Sequence, residues 1–359
     1  MADYRVDVYD TSGNKQAELV DFEFITLTKQ VNQPGLLKLG ISGEHWLLDS
    51  LQDKWVFEVM RKPSGYDWQR EFVGIYRWFK WQHGSRPTAE VVCDGLLSKL
   101  GWRIVAWTAG YTNRSQFTSQ AAETIANTLV YYNAGAGALQ TNGRLRDGVI
   151  SGLGVETNQG GGNTLDWYCA YSNLLNTLQD LAKIGGGDFD LVRTGSTTCE
   201  WRWYSGQLGS DKTADIVFAM ERGNMANPVY TDDRRKEKTV AVVGGQGEEN
   251  DRQVVVRQGS NYSSNNDIEV FVAATDVATT AGLQVRGDQK LDELKAVQGF
   301  DFEVLQTEAY KYGVNYQMGD LVTAISPYNG QSATMKVDAV AIALDRDGKE
   351  TIEVDVVNV

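Results

Sequence analysis

Three cysteines and two histidines are the side chains of this chain best suited to covalent or metal chemistry near neutral pH. Cys93, Cys169 and Cys199 are odd in number, lie far apart and form no CxxC pair. That spacing suits neither a disulfide framework nor a zinc site, so each reads as an ordinary buried or half-buried thiol. A Ser-His-Asp or Cys-His machine needs an imidazole beside its nucleophile, and neither His45 nor His83 sits in a recognisable motif. Each reads as a loop or surface imidazole. With 47 Asp and Glu, some carboxylate pair falls at any separation a glycosidase would need, so none is singled out. The glycines of Gly244-Gly245-Gln246-Gly247 follow a strand. A phosphate cradle would need a helix amino terminus and a Lys-Ser/Thr pair after them, whereas Glu248, Glu249, Asn250, Asp251 and another strand follow. A hairpin loop is the expectation. Asp345-Arg346-Asp347-Gly348-Lys349-Glu350 resembles part of a calcium loop but joins two strands, so it reads as a turn. Asp232-Asp233-Arg234-Arg235-Lys236 reads as a solvated linker. No catalytic, cofactor-binding or metal-binding residue is assigned, no cofactor is expected, and the chain is expected not to be an enzyme.

The ten tryptophans are a better prompt. Trp78, Trp81, Trp102 and Trp107, with Trp201 and Trp203, can line a sugar-binding groove or fill cores and subunit contacts. Trp201 and Trp203 lie two apart, which places them on one face of a strand.

The elements that must position these residues are mostly strands. Residues 4–9 alternate with Val6 and Val8 on one face, turn at Asp10-Thr11-Ser12-Gly13-Asn14 and return through 17–20. Strands follow at 21–28, 36–41, 55–60, 72–81 and 88–93, with a turn or two of helix at Trp46-Leu47-Leu48 and Leu51. From about Gly110 to Gly187 the pattern changes. A helix is predicted over 119–132, then a glycine-rich, weakly structured stretch, then a leucine-striped helix capped by Ser172 and stopped at Gly185-Gly186-Gly187. Strands at 188–193 and 199–204 close this part. The remainder predicts strands at 239–243, 253–257 and 268–273 and a charged helix over 281–297 with Leu283, Leu291 and Leu294 inward. Strands at 299–307, 318–322, 335–344 and 351–357 complete it.

The fold class read from this is mainly β with an α+β insertion. Two small antiparallel barrels, residues 1–108 and 233–359, flank an insertion at 109–232. A hydrophobic fraction of 42% gives ample core material, and a net charge of −13 argues against a surface that grips nucleic acid. No apolar run approaches the roughly 20 residues of a membrane span, and the amino terminus lacks a signal-peptide pattern, so folding in the cytoplasm and no stable membrane binding are expected.

Three passages together resemble the tail-hub (baseplate hub) proteins of long-tailed bacteriophages. They are Tyr4-Arg5-Val6-Asp7-Val8-Tyr9-Asp10 to Phe22-Glu23-Phe24, Val242-Val243-Gly244-Gly245-Gln246-Gly247-Glu248 with Asp251-Arg252, and Tyr312-Gly313-Val314-Asn315-Tyr316-Gln317-Met318-Gly319-Asp320-Leu321-Val322. The order barrel, insertion, barrel is similar too. The resemblance implies a homotrimer in the virion, at the distal end of the tail, whose duplicated units match a sixfold tail tube to a threefold tip. Its implied partners are a distal tail or tail-tube protein above, a tip fibre or spike below, and a tape-measure protein in the channel, with DNA only in passage. Many relatives continue into a fibre, spike or lytic domain. This sequence ends with its second strand-rich unit, so receptor binding or wall digestion is expected of another subunit. A carbohydrate-binding tail protein is the alternative function. The glycine-rich 135–162 is expected to be ordered only by neighbouring subunits.

Overall fold

A computed structural model describes residues 2–108, 113–248, 251–275, 277 and 279–359. The boundary read near Gly110, and Glu249 and Asn250 of the glycine loop, lie outside the described residues. The first third forms β1 (Asp3–Tyr9), β2 (Lys15–Leu19), β3 (Phe24–Gln30), β4 (Leu36–Ser42), the short helix α1 (Leu47–Ser50), β5 (Val56–Lys62), β6 (Gln69–Gln82) and β7 (Thr88–Gly95). Their apolar residues alternate into one core, as Ala89, Val91 and Cys93 do in β7. The middle holds α2 (Ser98–Gly101), β8 (Ser115–Ala121), α3 (Ala122–Asn133), β9 (Leu153–Val155), β10 (Thr164–Cys169), α4 (Leu174–Gly185), β11 (Gly187–Arg193) and β12 (Cys199–Ser205). Its own core joins Ile125, Leu129, Leu178 and Leu181 of the helices to Phe189 and Trp201 of the strands. The side chain of Asn173, rather than Ser172, caps α4 by accepting from Asn176 N at 3.3 Å. Gly186 ends that helix at φ 65°, a left-handed position glycine occupies without strain.

The last part holds β13 (Val217–Phe218), β14 (Met225–Asp233), β15 (Val240–Gly244), β16 (Val254–Gln258), β17 (Glu269–Ala273), α5 (Thr280–Glu293), β18 (Val297–Val304), β19 (Leu321–Ile325), β20 (Ser332–Leu344) and β21 (Glu350–Asn358). Strands β15 to β17 form a small sheet against α5, with Val243, Leu283 and Leu291 between them. Strands β15 and β16 pair antiparallel, so the glycine loop is a hairpin connection in its described part.

The expectation of two closed barrels is corrected here. Among the described residues no sheet closes on itself. Instead β1 to β7 and β19 to β21, with β13, share one 11-stranded sheet ordered β13-β19-β20-β3-β4-β7-β6-β5-β1-β2, with β21 on β20. The joint is β20. Its first half pairs β19, its second half pairs β3 along the same edge, and β21 follows the opposite edge. The register slips between Val337 and Ala339, leaving Asp338 as the extra residue of a bulge. A bulge bends and twists its strand, which lets β20 leave one partner for the next. Alternation alone shows which face of a strand is buried but not which strand lies beside it, so this joint was not visible in the sequence. Among the described residues no helix is long and apolar enough to cross a membrane.

Candidate assembly surface and a buried polar seam

The residues singled out for chemistry do not converge. Cys93 and Cys199 are buried and Cys169 is half-buried. Burial pushes the Cys169 thiol up to about 12 and raises the other two, against the pull of Lys99 on Cys199, so none offers a thiolate near neutral pH. The His45 ring is largely covered rather than a surface group; its Nδ1 accepts from Leu47 N at 3.1 Å at the start of α1. Trp201 and Trp203 share a face, as their spacing implies, and both lie in the core of the insertion; Trp201 Nε1 donates to Asn127 Oδ1 at 2.8 Å. Trp107 stacks on Tyr132 with centroids 4.3 Å apart, and Trp102 carries the Arg77 guanidinium over its ring at 5.5 Å. The six tryptophans therefore line no common groove.

Trp78 and Trp81 have a different setting. Strand β5 pairs β6 only as far as Val56 opposite Ile75; beyond that, β6 pairs β7 alone, out to Gln82 opposite Thr88. The outer edge of β6 past Trp78 has no strand partner among the described residues. It presents Trp78, Phe79 and Trp81 at 49%, 42% and 48% exposure. Trp81 is pinned by its Nε1–H to Gly43 O at 3.0 Å. An unpaired strand edge carrying large apolar side chains is a template for another strand, even with the exposed Lys80 between Phe79 and Trp81.

Elsewhere in the same sheet, charged groups join distant parts of the chain. The Lys29 ammonium of β3 donates to the Glu71 carboxylate of β6, and to Tyr312 OH at 2.7 Å. Tyr312 OH donates to the same Glu71 oxygen at 3.0 Å. Arg61 of β5 donates through Nε to Glu350 of β21 at 2.7 Å and through Nη1 to Tyr312 O at 3.3 Å, while Tyr4 OH donates to Glu350. Burial alone would raise the Glu71 pKa; the Lys29 and Arg61 charges and these hydrogen bonds outweigh it and hold the carboxylate below its ordinary range. Burial pushes the Tyr312 phenol up to about 12. The tyrosine-glycine passage is thus a structural plug. Tyr316 is buried edge-on to Phe218 with centroids 5.7 Å apart, and Gly313, at φ 78°, lies where a Cβ would sit 2.7 Å from Arg61 Nη1. Sequence reasoning found the motif but not its partners, which lie hundreds of positions away.

The matching family model spans residues 5–356 and bears the description Siphovirus ReqiPepy6 Gp37-like protein. The chain belongs to this family. Its family is a siphovirus family and its fold is that of solved phage tail proteins, so the resemblance to phage tail proteins read from the sequence holds. Solved tail proteins share its fold. A tail protein from Neisseria meningitidis MC58 is 14% identical with a TM-score of 0.60, covering 99% of this chain and 96% of its own. Prophage tail protein gp18 from Listeria monocytogenes EGD-e is 12% identical with a TM-score of 0.58, covering 98% and 94%. The 43 kDa tail protein of prophage MuSo2 from Shewanella oneidensis is 13% identical with a TM-score of 0.57, covering 99% and 98%. No protein of curated function matches the chain.

In this siphovirus-family chain the insertion is locked onto the main sheet. Asp188 of β11 takes Lys336 Nζ of β20 at 3.1 Å and Asn32 Nδ2 at 3.1 Å, and Phe189 N donates back to Asn32 Oδ1 at 2.7 Å. The glycine-rich 135–162 departs from its expectation, because its own chain holds it. Both oxygens of the buried Glu123 carboxylate accept backbone N–H groups, from Gln159 and Gly161, each at 2.6 Å. Ile150 N donates to Ala134 O at 2.7 Å.

Proposed function

We propose that this protein is the hub at the distal end of a phage tail: a homotrimer that fits a sixfold tail tube to a threefold tip and encloses part of the DNA ejection channel. The observation that carries this reading is the open, aromatic edge of β6 at one side of a sheet built from both ends of the chain. An open edge satisfies its backbone groups when a strand from a neighbour joins it, and a closed ring of copies removes such edges altogether. Residues 1–108 and 233–359 are read as the two strand-rich units that supply this ring, and 109–232 as the insertion that contacts neighbours or forms the lower platform. The proposed partners are a tail-tube protein above, a fibre or spike below and a tape-measure protein within, met during assembly in the host cytoplasm. Three copies triple a net charge of −13, which suits a channel that lets DNA slide without holding it. Acidic residues lying mainly on the outside of the assembled ring would refute that last point.

The deciding experiment is the solution mass of the full chain by light scattering, alone and mixed with its tail-tube neighbour. A trimer in either condition supports the hub, and a monomer in both removes it. The exposure of Trp78 and Trp81 favours one second reading, a carbohydrate-binding tail protein. Tryptophan fluorescence titrated with host wall glycans separates the two, since a hub shows no saturable change. No enzymatic activity is assigned, and a zymogram on host cell wall is expected to stay blank.

A further inference from the structure

Three arginines, Arg103 just before the insertion and Arg144 and Arg146 within it, come together without an ion-paired acid. Arg103 donates through Nε to Gly148 O at 2.6 Å and through Nη1 to Trp102 O at 3.1 Å. Arg144 is only 4% exposed; it donates to Arg146 O and, at 3.4 Å, to Ile104 O, while its buried Nε has no partner. Gly148 leaves room for that guanidinium, since a Cβ there would sit 2.6 Å from Arg144 Cζ. Arg146 is exposed. Every acceptor these side chains use is a backbone carbonyl, and among the described residues none of the three makes an ion pair. Burial, and then the charges of the other arginines, hold Arg103 and Arg144 below the ordinary arginine range. Asp147 offsets this for Arg144 only in part, and its carboxylate accepts the Gln140 N–H at 2.7 Å.

Around this cluster Ile104, Leu145, Val149 and Tyr171 stand exposed. The backbone stitches them together: Leu145 N donates to Ala106 O at 2.9 Å and Tyr171 N to Val105 O at 2.7 Å. A cationic centre ringed by apolar side chains has the composition of an interface centre, where Arg and Tyr are enriched. We propose that this patch docks an acidic segment of a second copy of this chain.

Charge complementarity selects that occupant. The chain carries 47 acidic residues against 34 basic ones, so a second copy brings a surplus of carboxylates to any contact. Guanidinium forks suit carboxylates geometrically, and partly desolvated ones gain more from meeting them than exposed lysines do. The proposal rests on the self-assembling hub reading and adds to it which face of the insertion a neighbour covers.

The test is sedimentation of the full chain, alone and with its tail-tube neighbour, at low and high salt. Arg146→Glu and Leu145→Ser alter exposed side chains, so their folding is checked by thermal melts. The expected result is self-association weakened at least about tenfold by either variant, with a flatter salt dependence for Arg146→Glu. Variants that associate like a trimeric wild type overturn this proposal and leave the hub reading intact. A wild-type chain that stays monomeric in both conditions overturns both. Retention of duplex DNA by the wild type, lost in Arg146→Glu, overturns the proposal in favour of nucleic acid as the occupant.

Discussion

The Glu71 carboxylate accepts hydrogen bonds from both the Lys29 ammonium and the phenol of Tyr312, a residue 241 positions further along the chain. This contact ties the first strands to the tyrosine-glycine plug, and Arg61 extends it to Glu350 of β21. Desolvating such charges is costly, and what they gain depends on every partner being present. Glu71→Ala leaves the Lys29 ammonium buried without its counter-charge. It is expected to destabilise the chain by about 3–5 kcal/mol in urea unfolding. The Lys29→Met, Glu71→Leu double variant should lose clearly less than the sum of the single changes. A Glu71→Ala loss below about 1 kcal/mol would show the seam to be incidental.

The same seam gives stability a defined pH dependence. Glu71 is held below its ordinary pKa, so its contribution is present above the unfolded carboxylate value near about 4.3 and fades as pH falls through the lower folded value. Tyr312 and Lys29 are raised, so their contributions are complete below their unfolded values, about 10 and 10.4, and are lost as pH rises through the folded ones. Melting temperature should therefore drop above pH of about 10, and Tyr312→Phe should lessen that drop. Equal alkaline profiles for the two proteins would remove Tyr312 from the account.

Much of the fold was legible because its strands alternate, and the failures have definite causes. Residues 88–93 alternate strictly and became β7, whereas β10 carries only one fully buried side chain, and β14 is polar and includes Pro228, so neither showed a period of two. The charged helix was visible, but it ends at Glu293, and Leu294 is half-buried at its carboxyl end. The aromatic edge lay hidden inside a correctly read strand. Periodicity shows that β6 is a strand, while only the shorter β5 beside it leaves the outer edge of residues 78–82 without a strand partner among the described residues. Ion partners far apart in the sequence, as Arg61 and Glu350 are, leave no local pattern at all, which is why the seam was missed.

At the β6 edge, assembly and stability should separate. Phe79 is exposed, so Phe79→Lys is expected to change folding stability by no more than about 0.5 kcal/mol. A lysine on an open edge opposes the approach of another strand. Light scattering of this variant should therefore give a smaller fraction of trimer than wild type at equal concentration. An unchanged distribution would place the contact between copies elsewhere.

The bulge in β20 makes a prediction whose sign depends on the direction of the change. Met335 and Val337 point into the core at odd positions, and Val340, Ile342 and Leu344 do so at even ones. Asp338 is the extra residue that switches the parity, and its carbonyl accepts from Val31 N at 2.9 Å while its carboxylate takes Gln30 Nε2 at 2.9 Å. Deleting Asp338 keeps the five apolar side chains on one face and removes only the bend and these two bonds, so that variant should fold with reduced stability. Inserting one alanine after Ala339 turns Val340, Ile342 and Leu344 outward, exposing side chains worth roughly 1.5–3 kcal/mol each. That sum approaches the whole stability of a typical domain, roughly 5–15 kcal/mol, so the insertion variant should fail to give soluble, cooperatively melting protein. If the insertion melts like wild type and the deletion does not fold, the bend itself, rather than the alternation on either side of it, is what joins the two ends of the chain.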